Sequence, residues 1–341
     1  MTPPTRTPWG GQRLWTDYKR HLPALRGAPA PEVIGESWEV SIDPAFPSAL
    51  LWGGQRLALA EALRRWPVEL LGEGGGEATP MLVKLLDAAA ALSVQVHPDD
   101  HYAGLAPGAS GKPECWYILD AALGAGLYLG LTPDVTRASL ERALRGGDDL
   151  TPMLNFVPVQ RGDMFIIGPG TVHAIGAGVT LVEPQLVWPG KSGQTYRFWD
   201  WNRRYDAQGK LDPIHGQPRP LHIDDSLAVT RFDGPRGRAF VDACRAEPRP
   251  LQRAGGASHD LLGVLEGMRV ERLRGSGALT LPPRGALQAA VVVSGHTAWA
   301  GEAVNDAVAA QRGESLILPA ALGGCDVTLL DAEVILTWMA R

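Results

Sequence analysis

Apolar runs of four to eight residues, each cut off by Gly, Pro or Asp, recur along most of this chain. They include Met81–Asp87, Leu92–His97, Glu114–Leu119, Gly126–Leu131, Met153–Val159, Asp163–Ile167 and Val179–Glu183. A second series follows residue 260: Leu261–Leu265, Met268–Leu273, Ala289–Val293, Ser315–Leu318, Val327–Leu330 and Val334–Trp338. Short runs rich in Val, Ile, Leu and aromatics are the signature of strands. With 41 Gly and 28 Pro among 341 residues, turns to join them are plentiful. Helical patterns are few. Asp134–Leu144 has an acidic start, apolar Leu140, Ala143 and Leu144, and a Gly146-Gly147 stop. Leu57–Trp66 places Leu59, Leu63 and Trp66 at helical spacing before Pro67, and a shorter helix follows Asp224-Asp225. The pattern predicts a mainly β chain whose strands close into sandwich or barrel sheets, with a few helical insertions.

The length suits two domains or one double-layered β unit. Arg231–Gly256, rich in Arg, Pro and Gly, is the natural linker, giving a division into 1–230, a linker region 231–258, and 259–341. A net charge of −5 without basic clustering argues against nucleic acid as a partner. No run of about 18 apolar residues offers a membrane span, and Met1–Gly10 has no apolar stretch of signal-peptide length. Three scattered cysteines, Cys115, Cys244 and Cys325, fit a reducing cytoplasm and make neither a disulfide framework nor a thiolate metal site. A metal here is therefore held by nitrogen and oxygen.

Three segments carry chemistry. On a strand, LSVQVHPDD (92–100) puts Ser93, Gln95 and His97 on one face and Val94 and Val96 on the other. A polar solvent face accounts for that segment alone, but burying three such side chains together is costly unless something binds them. In GKPECWYIL (111–119), Glu114 alternates with Trp116 and Ile118 while Cys115 faces away, and Lys112 shares the face of Glu114. In RGDMFIIGPGTVHAIGAG (161–178) a sharp Gly-Pro-Gly turn sends His173 back at the head of a strand. Two imidazoles and one carboxylate suit a divalent first-row metal, with Gln95 as a neutral oxygen donor. The donor set leaves zinc and non-haem iron both open.

The segments Gln95-Val96-His97-Pro98, Gly111-Lys112-Pro113-Glu114-Cys115-Trp116-Tyr117 and Pro169-Gly170-Thr171-Val172-His173-Ala174 resemble motifs of type I mannose-6-phosphate isomerases. Thr195-Tyr196-Arg197 with Asp200-Trp201-Asn202-Arg203 resembles that family's tyrosine–arginine segment, and Trp9-Gly10-Gly11 and Gly35-Glu36-Ser37-Trp38-Glu39 resemble its N-terminal region. The likeness runs over about residues 8–225, and the compact length resembles the family's short bacterial branch. It implies a double cupin β-barrel (jelly-roll) and a metal-dependent interconversion of mannose 6-phosphate and fructose 6-phosphate. By the same likeness Gln95, His97, Glu114 and His173 hold one Zn2+ per chain, and Arg197 is catalytic. Lys84, Ser93 and Lys112 line the pocket of a small-molecule sugar phosphate. The base that moves the proton is left open among Glu183, Lys112 and a water on the metal. The chain departs from the family at Glu183–Gln194, where a longer segment with Pro184 is expected to reshape the cleft mouth. The C-terminal unit is expected to be a second cupin-like barrel without metal ligands, with His296 exposed. A cytoplasmic monomer or homodimer follows from these readings. A cupin oxygenase and a non-catalytic sugar-binding double cupin are the rival functions.

Overall fold

The computed structural model describes residues 6–31, 33–76, 78–301 and 307–340, so the first five residues of the N-terminal segment lie outside the described residues. The chain is mainly β and divides into two compact units. One holds Leu85–Ala246 with Pro31–Ser37 and the N-terminal stretch through Leu14; the other holds Trp15–Ala30, Trp38–Lys84 and the chain from Glu247 onward.

Two sheets build the first unit. One runs in the order Val179–Leu186, Glu114–Ala121, Met164–Ile167, Arg245–Ala246. The other runs Tyr196–Trp199, Val94–Val96, His173–Ile175, Gly126–Leu131, Leu154–Pro158. Trp116, Ile118, Phe165 and Leu181 of the first share one buried cluster with Leu127, Leu129, Val157 and Ile175 of the second, so the sheets pack face to face. Strand alternation then decides what else points inward: Glu114 lies on the face of Trp116 and Ile118. The outer face of the second sheet, including Val94, Ala174 and Phe198, packs on Leu140, Ala143 and Leu144 of the Arg137–Gly146 helix and on Leu227.

The predicted helices form, with shifted ends. Thr136 and Ser139 make a reciprocal capping box, so that helix begins at Arg137 instead of Asp134, and Gly147 at φ 73° ends it. In place of one helix over Leu57–Trp66, a Gln55–Ala58 strand pairs with Ala49–Trp52 and a helix covers Leu59–Arg65. Pro67 opens a second short helix, Pro67–Leu71, where its missing N–H costs nothing. The stretch expected to be a linker is ordered: 231–258 contains the Gly237–Cys244 helix and the Arg249–Ala254 strand. Phe240, Val241 and Cys244 of that helix pack against the first unit's core, an inward face hidden in the sequence by the surrounding Arg, Pro and Gly.

In the second unit one sheet runs Arg249–Ala254, Gly256–Leu265, Met268–Leu281, Cys325–Met339, Gln288–Gly301, Val308–Gln311, with Ser315–Leu318 also on Gln288–Gly301. The runs Val327–Leu330 and Val334–Trp338, separate in the sequence pattern, belong to the single strand Cys325–Met339. Asp331 between them sits at φ 46° against Gly295, where any Cβ would meet the Asp331 carbonyl oxygen at 2.1 Å. What looks like a turn is an irregularity within a long strand. No helix among the described residues is long and apolar enough to cross a membrane.

Candidate metal centre

Register brings the expected residues together from both sheets of the first unit. His173 lies directly opposite Gln95 on the neighbouring strand, and Gln95 lies opposite Arg197 on the next. Paired residues share a face, so Gln95 sits between His173 and Arg197 in one row. From the facing sheet, Glu114 enters at the head of its strand. It lies 3.4 Å by Oε2 from His97 Nε2 and 3.4 Å by Oε1 from His173 Nε2. All three side chains are buried, and they form the candidate metal group among the described residues. None of the three cysteines, all buried and free, belongs to it.

Hydrogen bonding fixes what the ring nitrogens present. His97 Nδ1 is 3.0 Å from the Gln194 carbonyl oxygen and His173 Nδ1 is 2.8 Å from that of Thr171. A carbonyl only accepts, so each Nδ1 carries the proton and each Nε2 presents a lone pair. Both Nε2 atoms are buried without a hydrogen-bond partner among the described residues. Burial, then the Lys112 charge, pushes His97 down to about 3, against the opposing pull of Glu114. Burial also lowers His173. Desolvation alone would raise Glu114, but the Lys112 charge leads in holding its carboxyl well below the usual range. Two neutral imidazoles thus aim lone pairs at one carboxylate, which repels unless a cation lies among them. The donor set fits a metal ion, and the backbone acceptors on Nδ1 are the orienting bonds that histidine ligands ordinarily carry.

The segment that departs from the resembled family supports this group. The Val179–Leu186 strand continues through Pro184, and Gln185 Nε2 donates to Glu114 Oε2 at 2.5 Å. Gln194 supplies the acceptor for His97, and a Cβ at Gly193 would meet the Lys112 side chain at 2.9 Å. Lys112 in turn reaches Glu114 Oε2 at 3.4 Å. Glu183, on the same inward face, accepts the Trp116 indole N–H at 3.1 Å. Ser93 is buried two residues before Gln95. Lys84 is buried in the Met81–Ala88 strand, its ammonium 4.5 Å from the Trp38 ring centroid.

Arg197 is held from the segment beyond the Tyr-Arg motif. Its N–H donates to His222 Nδ1 at 3.0 Å, its carbonyl accepts the His222 N–H at 2.8 Å, and Nη1 donates to the Pro220 carbonyl at 3.1 Å. Its buried Nε has no partner among the described residues. Burial, and then Arg197, lower His222, which keeps the ring neutral and Nδ1 an acceptor. Asp200 grips Arg219 through two bonds of 2.7 and 2.8 Å and Arg203 through one of 2.6 Å. Trp201 and Asn202, at φ 57° and 54°, make the tight turn that this requires. Gln185, His222 and Arg219 are the supporting residues that motif spacing does not reveal. Gln185 was reachable from strand alternation with Glu183; the other two lie beyond any local pattern.

Two packed β-sheets with a His–Glu–His group between them define a cupin-like protein with a candidate metal centre. The family described as phosphomannose isomerase type I, catalytic domain, matches residues 6–113, ending one residue before Glu114. The chain is 34% identical over 227 residues to the mannose-6-phosphate isomerase of Streptococcus mutans serotype c, 67% of this chain and 65% of that protein. It is 32% identical over 235 residues to YvyI of Bacillus subtilis strain 168, a protein provisionally given the same name, covering 69% of this chain and 67% of that one. The solved mannose 6-phosphate isomerase of Bacillus subtilis superposes with a TM-score of 0.80 at 26% identity over 96% of this chain and 95% of that one. The matched sequence spans just under two thirds of the Streptococcus relative. The chain belongs to the type I mannose-6-phosphate isomerase family.

Proposed function

We propose that this chain interconverts mannose 6-phosphate and fructose 6-phosphate, using one zinc ion on Gln95, His97, Glu114 and His173. The observation that carries the reading is the pair of buried, unpartnered Nε2 lone pairs 3.4 Å from one carboxylate, in a chain of this family. The chemistry that a bound zinc supplies is Lewis acidity toward O1 and O2 of the open-chain sugar.

The chain's own residues do the rest. A proton leaves C2 of the aldose and is delivered to C1, while O1 and O2 exchange carbonyl and hydroxyl character through an enediol. Arg197, one strand from Gln95 and locked by Pro220 and His222, brings a fixed positive charge to the oxygen on which negative charge develops. Lys112 offsets charge beside Glu114 and, with Ser93, serves the sugar phosphate. Lys84 takes part in phosphate binding by the family resemblance. Glu183 and Lys112 are the protein groups proposed to carry the proton. The Trp116 N–H orients Glu183 toward the interior. The enzyme is proposed to work in the cytoplasm.

The test is a coupled assay for fructose 6-phosphate formed from mannose 6-phosphate, with and without added zinc. Zinc-dependent formation is expected. A metal-replete protein that turns over no mannose 6-phosphate, or one that consumes oxygen instead, removes this reading.

A further inference from the structure

The second unit buries its own ionic cluster, one that plays no part in the proposed isomerisation. Glu271 is fully buried and accepts from Arg284 Nη1 at 3.0 Å and Nη2 at 2.6 Å, from Trp338 Nε1 at 3.2 Å and from Arg269 Nε at 3.3 Å. His259 Nε2 lies 2.7 Å from its Oε2, and since a carboxylate only accepts, that nitrogen carries the proton. The four charged or ionisable side chains line a cleft of about 390 Å3 whose walls include Leu251 and Pro282. That volume is in the range that holds a small ligand.

The charges in this cleft do not balance. Two guanidinium groups share one carboxylate, which leaves at least one positive charge in surplus in a largely buried site. Arg284, with 8% of its side chain exposed, has a buried Nε with no acceptor among the described residues. Of Arg269, only Nε reaches Glu271. Asp260 does not make up the deficit, because its oxygens are taken by Arg253 at 2.6 Å and Arg272 at 3.0 Å. Stacking on Trp338, with centroid distances of 4.3 Å for Arg284 and 5.5 Å for Arg269, fixes both guanidinium planes. Rigid guanidinium forks with donors to spare are the usual recognition element for oxyanions.

We propose that this cleft is a second binding site, for the phosphate group of a small phosphorylated molecule. Arg269 and Arg284 turn two guanidinium groups toward it, with more free N–H donors than the two oxygens of a carboxylate can use and enough for the three peripheral oxygens of a phosphate monoester, while His259, its ring N–H held by Glu271, only lines the wall. Glu271 holds the donors in place and is not itself a ligand.

Isothermal titration of inorganic phosphate into the full chain tests this, with Lys112→Gln introduced first to weaken phosphate at the proposed substrate site. The Lys112→Gln chain is expected to take up one phosphate, and adding Arg269→Gln to weaken it about tenfold or more. Arg269 is partly exposed, with 27% of its side chain accessible, so this change leaves the thermal midpoint nearly unmoved. Arg269→Lys, which keeps the charge and loses the fork, gives an intermediate loss, a result that a folding defect does not produce. Acetate is expected to bind about tenfold more weakly than phosphate. Phosphate affinity unchanged by Arg269→Gln, no uptake by the Lys112→Gln chain, or acetate binding as tightly as phosphate overturns the proposal.

Discussion

Each unit buries a glutamate beside histidine, and the two pairs are built in opposite senses. Glu271 is saturated with N–H donors, including a histidine at 2.7 Å and a guanidinium fork. Glu114 faces two imidazole lone pairs at 3.4 Å, because Gln194 and Thr171 carbonyls hold the ring protons on the far side. Residue types alone do not separate these clusters. The position of the histidine proton does: a carboxylate ringed by donors has no place for a cation, while one faced by acceptors calls for one.

Mutations in the two clusters are expected to act differently. The largest effect after loss of the metal ligands themselves is expected at Arg197: Arg197→Ala lowers kcat about a hundredfold with a folded, metal-loaded protein. Unaltered steady-state kinetics would remove that residue from the chemistry. Gln185→Leu strips Glu114 of its 2.5 Å donor, and metal affinity, read by competition with a chelating dye, is expected to fall about tenfold or more. Unchanged affinity would show that the 183–194 segment only packs.

At Glu271 the expected effect is on stability instead of turnover. Desolvation works against its ionisation, yet His259 and Arg284 bring its carboxyl down to about 2 from 4.5. A carboxylate depressed in the folded state contributes stability that is fully present above the unfolded value near 4.5 and is lost as pH falls toward about 2. That depression corresponds to about 3 kcal/mol. Denaturant unfolding of wild type and Glu271→Gln should therefore differ most above pH 4.5 and converge near pH 2. A pH-independent gap would contradict the assignment.

Much of the site was legible because strand alternation is a strong local rule. It placed Ser93, Gln95 and His97 on one face, set Glu114 with Trp116, and turned Cys115 away from the ligand face. The resemblance in three short motifs then joined segments that no periodicity connects. The rest depended on long-range register. His222 reaches Arg197 across 25 residues, and its role comes from a backbone bond that leaves no mark in composition. Gln185 was passed over because Pro184 made a continuing strand look like a loop. The Gly237–Cys244 helix was missed because its inward-facing Phe240, Val241 and Cys244 are interleaved with Arg, Pro and Gly. In the second unit Asp331 imitated a turn, since a positive φ at one residue looks the same whether the chain reverses or merely kinks.

The cluster of His97, Glu114 and His173, and not that of His259 and Glu271, is expected to hold a metal. Zinc content by atomic emission, measured on wild type, His173→Ala and His259→Ala purified in parallel, tests it most directly. Wild type and His259→Ala should each carry about one zinc per chain, and His173→Ala essentially none, with isomerase activity following the metal. A His173→Ala protein that keeps its zinc, or a His259→Ala protein that loses it, would place the metal outside the His97–Glu114–His173 group.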